Sequence, residues 1–337
     1  MTRPKAVVFG CRGPDLAPDE FTFFSEIRPI GFILFSRNCI SPRQIRTLTR
    51  DLRKSIDDDN APILIDQEGG RVVRLPKPYW REPPAAKIFS DLAENDIDLA
   101  CEALNLNIRL IGADLRALGI TVNCLPVLDI RTNDADPIIS DRALGVDAKI
   151  ISILGRVVCD ALLKEGVLPV IKHIPGHGRA NADSHKALPT VTTALTELSK
   201  TDFFPFEILA DMPLAMTAHI IYSAIDPKNP ATNSYTVISE IIREKIGFDG
   251  LLISDDLSMQ ALDGTFTDRT QAALAAGCDA VLHCNGDMSE MRAIADTVSY
   301  FSDKSVDRLQ RALVLIQKFE TLDRQVALER LIELGIN

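Results

Sequence analysis

At 337 residues, with 46% hydrophobic and 25% charged side chains, the chain is long enough for one large barrel or two average domains and can bury a sizeable core. A net charge of −10 argues against a general nucleic-acid surface, which needs a basic face, and gives no attraction to anionic membranes. The opening MTRPKAVVFGCRGP is too short in apolar residues for a signal peptide, and no run approaches the roughly 18–20 apolar residues of a membrane span.

Eight short apolar runs rich in β-branched residues recur along the chain: 5–10 (KAVVFG), 31–36 (GFILFS), 61–66 (APILID), 121–129 (TVNCLPVLD), 167–173 (VLPVIKH), 213–219 (PLAMTAH), 250–255 (GLLISD) and 279–285 (DAVLHCN). Near-continuous apolar runs suit parallel strands covered on both sides. Helical patterns at 42–56, 97–118, 148–163, 196–209, 239–246 and 267–276 lie between them, several stopped by glycine (119, 166, 247, 277). The stretch 67–96 reads as a long loop with four prolines, and 302–334 as one or two terminal helices packing against the rest. Strand–helix alternation with no linker or repeat predicts a single (β/α)8 barrel of the TIM type over 1–337, with 302–337 as terminal helices; an open doubly wound sheet is the alternative. Seven scattered cysteines without a C-x-x-C pair read as reduced core residues of a cytoplasmic protein.

In such a barrel the chemistry sits at the C-terminal ends of the strands. Those ends carry Arg37, Asp66, Asp129, Lys172–His173, His219, Asp255–Asp256 and Asn285. One aspartate there is as readily a helix cap as a reactive group. Repetition at seven ends points to an enzyme.

The densest segment, IKHIPGHGRANADSHKALP (171–189), sets Asp183 two residues before His185, where a carboxylate can orient an imidazole and stabilise its charged form. Gly176 and Gly178 suggest a flexible loop that closes on a ligand. His173 and His177 have H-x-x-x-H spacing, but Pro175 and Gly176 break the helix that would align them on zinc, so no metal is expected. Ser184 adjoins His185, although adjacent side chains usually diverge, which weighs against a serine triad. In LLISDDLSM (251–259) one of Asp255 and Asp256 can face the barrel mouth while the other caps the next helix; alternation alone leaves the choice open. A carboxylate nucleophile suits glycosyl transfer through an oxocarbenium-like transition state.

KHIPGHGRANADSHKALP followed by ISDDLSM, together with GFILFSRN, IDQEGGRVVRL, LPVLDI and ISDRALG, resembles glycoside hydrolase family 3, in particular its bacterial cytoplasmic β-N-acetylhexosaminidases. The resemblance implies a retaining exo-β-N-acetylglucosaminidase acting in peptidoglycan recycling. It makes Asp255 the nucleophile, His185 the acid/base and Asp183 its partner, with Asp66, Arg74, Arg142, Lys172 and His173 holding the terminal sugar. It implies N-acetylglucosaminyl-anhydro-muropeptide fragments as substrate, a monomer and no cofactor. Two rival readings are a related enzyme with phosphate as acceptor and a catalytically silent sugar-binding barrel.

Overall fold

The computed structural model describes residues 3–132, 139–180 and 182–336. Asn181, inside the dense segment 171–189, and Met1, Thr2 and Asn337, at the ends of the expected 1–337 span, lie outside the described residues. Strands β1 (Lys5–Gly10), β2 (Pro29–Leu34), β3 (Ile63–Ile65), β4 (Val122–Asn123), β5 (Leu168–Ile174), β6 (Leu214–Thr217), β7 (Leu251–Asp256) and β8 (Ala280–His283) close into a parallel barrel in chain order. The last strand pairs with the first, Val7 opposite Val281 and Phe9 opposite His283. A second pair of parallel two-residue strands, Thr190–Val191 and Ile221–Tyr222, joins the segments that follow β5 and β6. The open-sheet alternative is thereby excluded.

The apolar runs are the strands, but two are shorter than their runs. β4 keeps only two ladder residues of 121–129 because Pro126 has no N–H to offer. The chain stays beside β5 beyond that point: the Val170 and Lys172 amides donate to the Leu125 and Pro126 carbonyls, and the Leu128 amide returns a bond to Lys172. β2 runs two residues earlier than 31–36 and ends at Leu34, which puts Arg37 in the short 3-10 turn Ser36–Asn38.

Helices Pro42–Ser55, Ile97–Ala117, Ala148–Lys164 and Phe266–Ala276 fall where apolar spacing places them, and Gly277 ends the last in a left-handed conformation, φ 116°. The stretch 196–209 is two short helices, Leu195–Leu198 and Phe204–Ile208, since Pro205 can begin a helix but not continue one. Val237–Lys245 is a π-helix. Three helices carry no clear sequence signal, Pro18–Ile27, Ala86–Ala93 and Met288–Thr297; the second lies within the stretch read as loop. Helix Asp303–Leu315 is tied beneath the barrel by Arg308, 2.6 Å from Asp249 and 2.9 Å from Asp279, just before β7 and β8. Helix Arg324–Glu333 packs on Ile97–Ala117, with Arg330 2.7 Å from Glu102. Among the described residues no helix is long and apolar enough to cross a membrane.

Candidate active site

Because all eight strands run in one direction, their C-terminal ends share one face. A cavity of about 180 Å³ opens there. It is smaller than the roughly 300–1,000 Å³ of pockets for drug-sized ligands, a fit for one ring rather than a chain of them. Ile33, Phe35, Val72, Ile139, Met216, Met259 and Leu282 form apolar wall, and ionisable side chains make up most of the rest of the lining.

The charged floor is built from β3 and β5. Lys172, almost completely buried on β5, places Nζ 2.9 Å from Asp66 and 2.7 Å from Glu68. Arg142 grips Glu68 with both arms, Nε to Oε2 and Nη2 to Oε1 at 2.8 Å each. Arg74 lies 3.4 Å from Asp66 and over the Phe35 ring, and its Nε is buried with no partner among the described residues. Burial alone would push the Asp66 and Glu68 carboxyls up; Lys172 with Arg74, and Arg142 with Lys172, outweigh it and hold both below the usual carboxylate range. Burial likewise pulls Lys172 down, but Asp66 and Glu68 leave it raised. The buried Arg74 nitrogen is a donor left for a ligand's hydroxyl or carbonyl.

β4 and β5 set two histidines through one carboxylate. Asp129, fully buried, accepts from the His173 backbone N–H at 3.1 Å, bonds the His173 ring Nδ1 at 2.7 Å and accepts the His177 backbone N–H at 2.6 Å. The two rings lie 5.5 Å apart, and His177 Nε2 is 3.1 Å from Ser184 Oγ. Its Nδ1 has no partner among the described residues, so this serine–histidine pair shows no orienting carboxylate of the kind a nucleophilic serine requires. The His185 ring pairs instead with Asp183, its Nδ1 2.9 Å from that carboxylate, while Ser184 is buried. That bond leaves Nε2 of an exposed imidazole free to give or take a proton. Burial raises the Asp183 carboxyl, but the His185 backbone and ring and Lys186 together keep it below its ordinary value. Gly178 serves close packing: a Cβ there would lie 1.8 Å from the Ile130 carbonyl oxygen.

At the end of β7 the two aspartates separate. Asp256 is consumed locally, accepting from the Ser258 backbone and hydroxyl and from the Cys284 amide. Asp255 accepts one bond, from the Asp256 amide at 2.8 Å, and lines the cavity with its other oxygen unbonded among the described residues. Burial would raise its carboxyl; His219, His173 and the Asp256 amide more than compensate, so it is ionised at neutral pH.

Of the residues singled out in the sequence, Asp66, Arg74, Arg142, Lys172, His173, His185 and Asp255 line this cavity, and Asp183 supports His185 from behind. Arg37 and Asn285 do not line it. Arg37 donates to the Cys11 and Cys284 carbonyls, and Asn285 bonds Glu290 and the Asp287 amide at the start of a helix. Glu68 escaped the sequence reading, its position before two glycines being that of an ordinary turn residue.

A stability consequence follows from the neutral histidine. Burial holds His177 down to about 4, below its ordinary 6.5. The unfolded chain therefore binds a proton between these values that the folded chain refuses, and stability falls as pH drops from 6.5 towards 4. The depressed carboxylates add losses of the same sign at lower pH. Denaturant unfolding at pH 7.0, 5.5 and 4.5 should give decreasing free energies, and His177→Asn should flatten the decline over that window; an unchanged slope in the variant contradicts the assignment.

The family model of the Glycosyl hydrolase family 3 N terminal domain matches residues 27–315. A Bordetella pertussis beta-hexosaminidase is 35% identical over 316 residues, covering 92% of this chain and 88% of the relative. One from Alkalilimnicola ehrlichii is 38% identical over 284 residues, covering 83% and 80%. Among solved structures, NagZ from Neisseria gonorrhoeae in complex with N-trifluoroacetyl-D-glucosamine superposes with a TM-score of 0.88 at 28% identity, covering 99% of this chain and 98% of that one. A glycoside hydrolase family 3 beta-N-acetylglucosaminidase from Paenibacillus scores 0.85 at 29% identity, covering 98% and 67%.

Proposed function

The chain belongs to glycosyl hydrolase family 3, and from that premise we propose that this hydrolase is a retaining exo-β-N-acetylglucosaminidase with Asp255 as nucleophile and His185 as acid/base. The observation that carries the reading is the pairing of groups across one small cavity: an ionised carboxylate with a free oxygen, and an exposed imidazole backed by a carboxylate. The relatives' names, beta-hexosaminidase and NagZ, supply the bond class.

In the first step an Asp255 oxygen forms a bond to the anomeric carbon as the bond to the leaving oxygen breaks, and the protonated His185 gives its Nε2 proton to that oxygen. His185, now neutral, takes a proton from water as water attacks the same carbon; the Asp255 ester breaks and N-acetylglucosamine leaves with its β configuration kept. Asp183 stabilises the imidazolium of the resting acid. Asp66 accepts from sugar hydroxyls, while Arg74, Arg142, Lys172 and His173 hold the ring and its acetamido group.

The substrate of this reading is N-acetylglucosamine linked to anhydro-N-acetylmuramic acid, with or without peptide, in cytoplasmic peptidoglycan recycling. The protein acts as a monomer and a single domain over 1–337, residues 302–337 included. The loop carrying Asp183 and His185 closes on bound sugar. A proton-NMR time course in phosphate-free buffer tests the reaction: β-N-acetylglucosamine should appear first and mutarotate later. A first-formed α anomer, or turnover only after phosphate addition, refutes it. His185→Ala should lose about 10²–10⁴-fold in kcat/KM on an alkyl aglycone, the range of general acid catalysis, and far less on a 2,4-dinitrophenyl aglycone, which departs unprotonated.

A further inference from the structure

The His185–Asp183 pair is self-contained. Its members lie two residues apart and bond each other, so they travel as a unit and nothing in the pair fixes where that unit sits over the cavity. The other bonds of this turn are internal as well, the Lys186 and Ala187 amides donating to the Asp183 carbonyl. Among the described residues, the hydrogen bonds that join 182–187 to the rest of the protein are made by Ser184. Its hydroxyl meets His177 Nε2 at 3.1 Å, and its carbonyl accepts the Ala261 amide at 3.2 Å. Ser184 is 3% exposed between two more open neighbours, and it lines the same cavity as Asp255.

The other half of the contact is rigid. His177 is 3% exposed, its backbone amide is fixed on Asp129, and its ring centroid lies 5.5 Å from that of His173. Its Nδ1 is buried without a partner among the described residues. A buried N–H with no acceptor costs more than a bare ring nitrogen, so the hydrogen belongs on Nε2 and is donated to Ser184 Oγ. Asp129 thus anchors both His173 on the sugar side and the histidine that receives the loop.

We infer that the His177–Ser184 hydrogen bond seats the acid/base loop, making Ser184 and His177 positioning residues for proton transfer by His185. The inference rests on His185 being the acid/base. Proton transfer requires the donor within hydrogen-bond reach of the leaving oxygen, so a loop seated an ångström away loses the proton step first and leaves nucleophilic attack by Asp255 in place.

The experiment reads kcat/KM, which reports the first step, for Ser184→Ala, Ser184→Thr, His177→Gln and His185→Ala on two β-N-acetylglucosaminides. One has a 2,4-dinitrophenyl leaving group that needs no proton, and the other an alkyl group that does. Ser184→Ala should lose roughly 10–100-fold on the alkyl glycoside and less than about threefold on the dinitrophenyl one. Ser184→Thr keeps the oxygen and His177→Gln keeps an N–H donor, and each should recover most of the loss. Equal losses on both glycosides, or no loss on either, overturn the inference, the former marking a purely structural bond. If His185→Ala also fails to discriminate between leaving groups, the acid/base reading fails first and the inference falls with it. Thermal melts confirm that each variant is folded; should Ser184→Ala not fold, His177→Phe, which removes the donor from the other side, decides in its place: a loss confined to the alkyl glycoside supports the inference, and equal losses or none overturn it.

Discussion

Asp255→Ala should reduce kcat/KM on an aryl β-N-acetylglucosaminide by at least about 10⁴-fold, the scale on which removal of a residue acting directly on the reacting atoms is felt. The expectation is specific to Asp255 because its neighbour's carboxylate already holds the Ser258 amide and hydroxyl and the Cys284 amide. The variant also makes room for a small external nucleophile. Azide attacking the face vacated by Asp255 should give the α-glycosyl azide, since a single displacement inverts configuration. Product configuration by NMR checks this. Near-wild-type activity in Asp255→Ala moves the nucleophile elsewhere, with Asp256 next in line, and a β-azide product contradicts attack from the Asp255 side.

The second large effect concerns stability. Glu68→Ala should destabilise the fold by about 3–5 kcal/mol, the cost of leaving a buried charge uncompensated. Lys172 is 2% exposed and, among the described residues, would keep only Asp66 as a carboxylate partner, while Arg142 would lose both arms of its pair with Glu68. In a chain of this size that corresponds to a fall in Tm of about 4–7 °C. Asp141→Ala is the matched control. It removes one partner of Arg71, in a 2.7 Å pair whose side chains are 42% and 34% exposed, a setting in which ion pairs contribute about 0–1 kcal/mol. Differential scanning fluorimetry of both variants decides it: similar small shifts refute the view of Glu68 as keystone of the charged floor.

Glu68 also shows where sequence reading stops. Asp66 was visible because it ends an apolar run, and Asp183 and His185 because they are two residues apart. Glu68 acquires its role from Arg142, 74 positions along the chain, and from Lys172 on β5, and no local spacing encodes that meeting. Arg37 is the converse case. It follows an apolar run just as Asp66 does, but β2 ends at Leu34, and the following turn aims the guanidinium at backbone carbonyls. Alternation could not separate Asp255 from Asp256, because the choice depends on Cys284, which β8 brings alongside. Barrel class and strand number were legible from the apolar runs alone. The length of β4 was not, since Pro126 removes a donor from a segment that remains extended. Helix Ala86–Ala93 was hidden by the proline-rich run before it, which set the expectation of a loop.

The pairing of β8 with β1 has a consequence for how the molecule is made. While the chain emerges from the ribosome, Val7 and Phe9 have no strand on one side until Val281 and His283 have been synthesised. At about 5–20 residues per second, β1 waits roughly a quarter of a minute to a minute with one edge unpaired. An open apolar edge is a template for other strands, so the interval is when this chain is most exposed to misassembly. Lys5 at the start of that strand, and the late-arriving segment around Ser299 and Tyr300 that caps it, mark where a chaperone, or a neighbouring nascent copy, would find its opening.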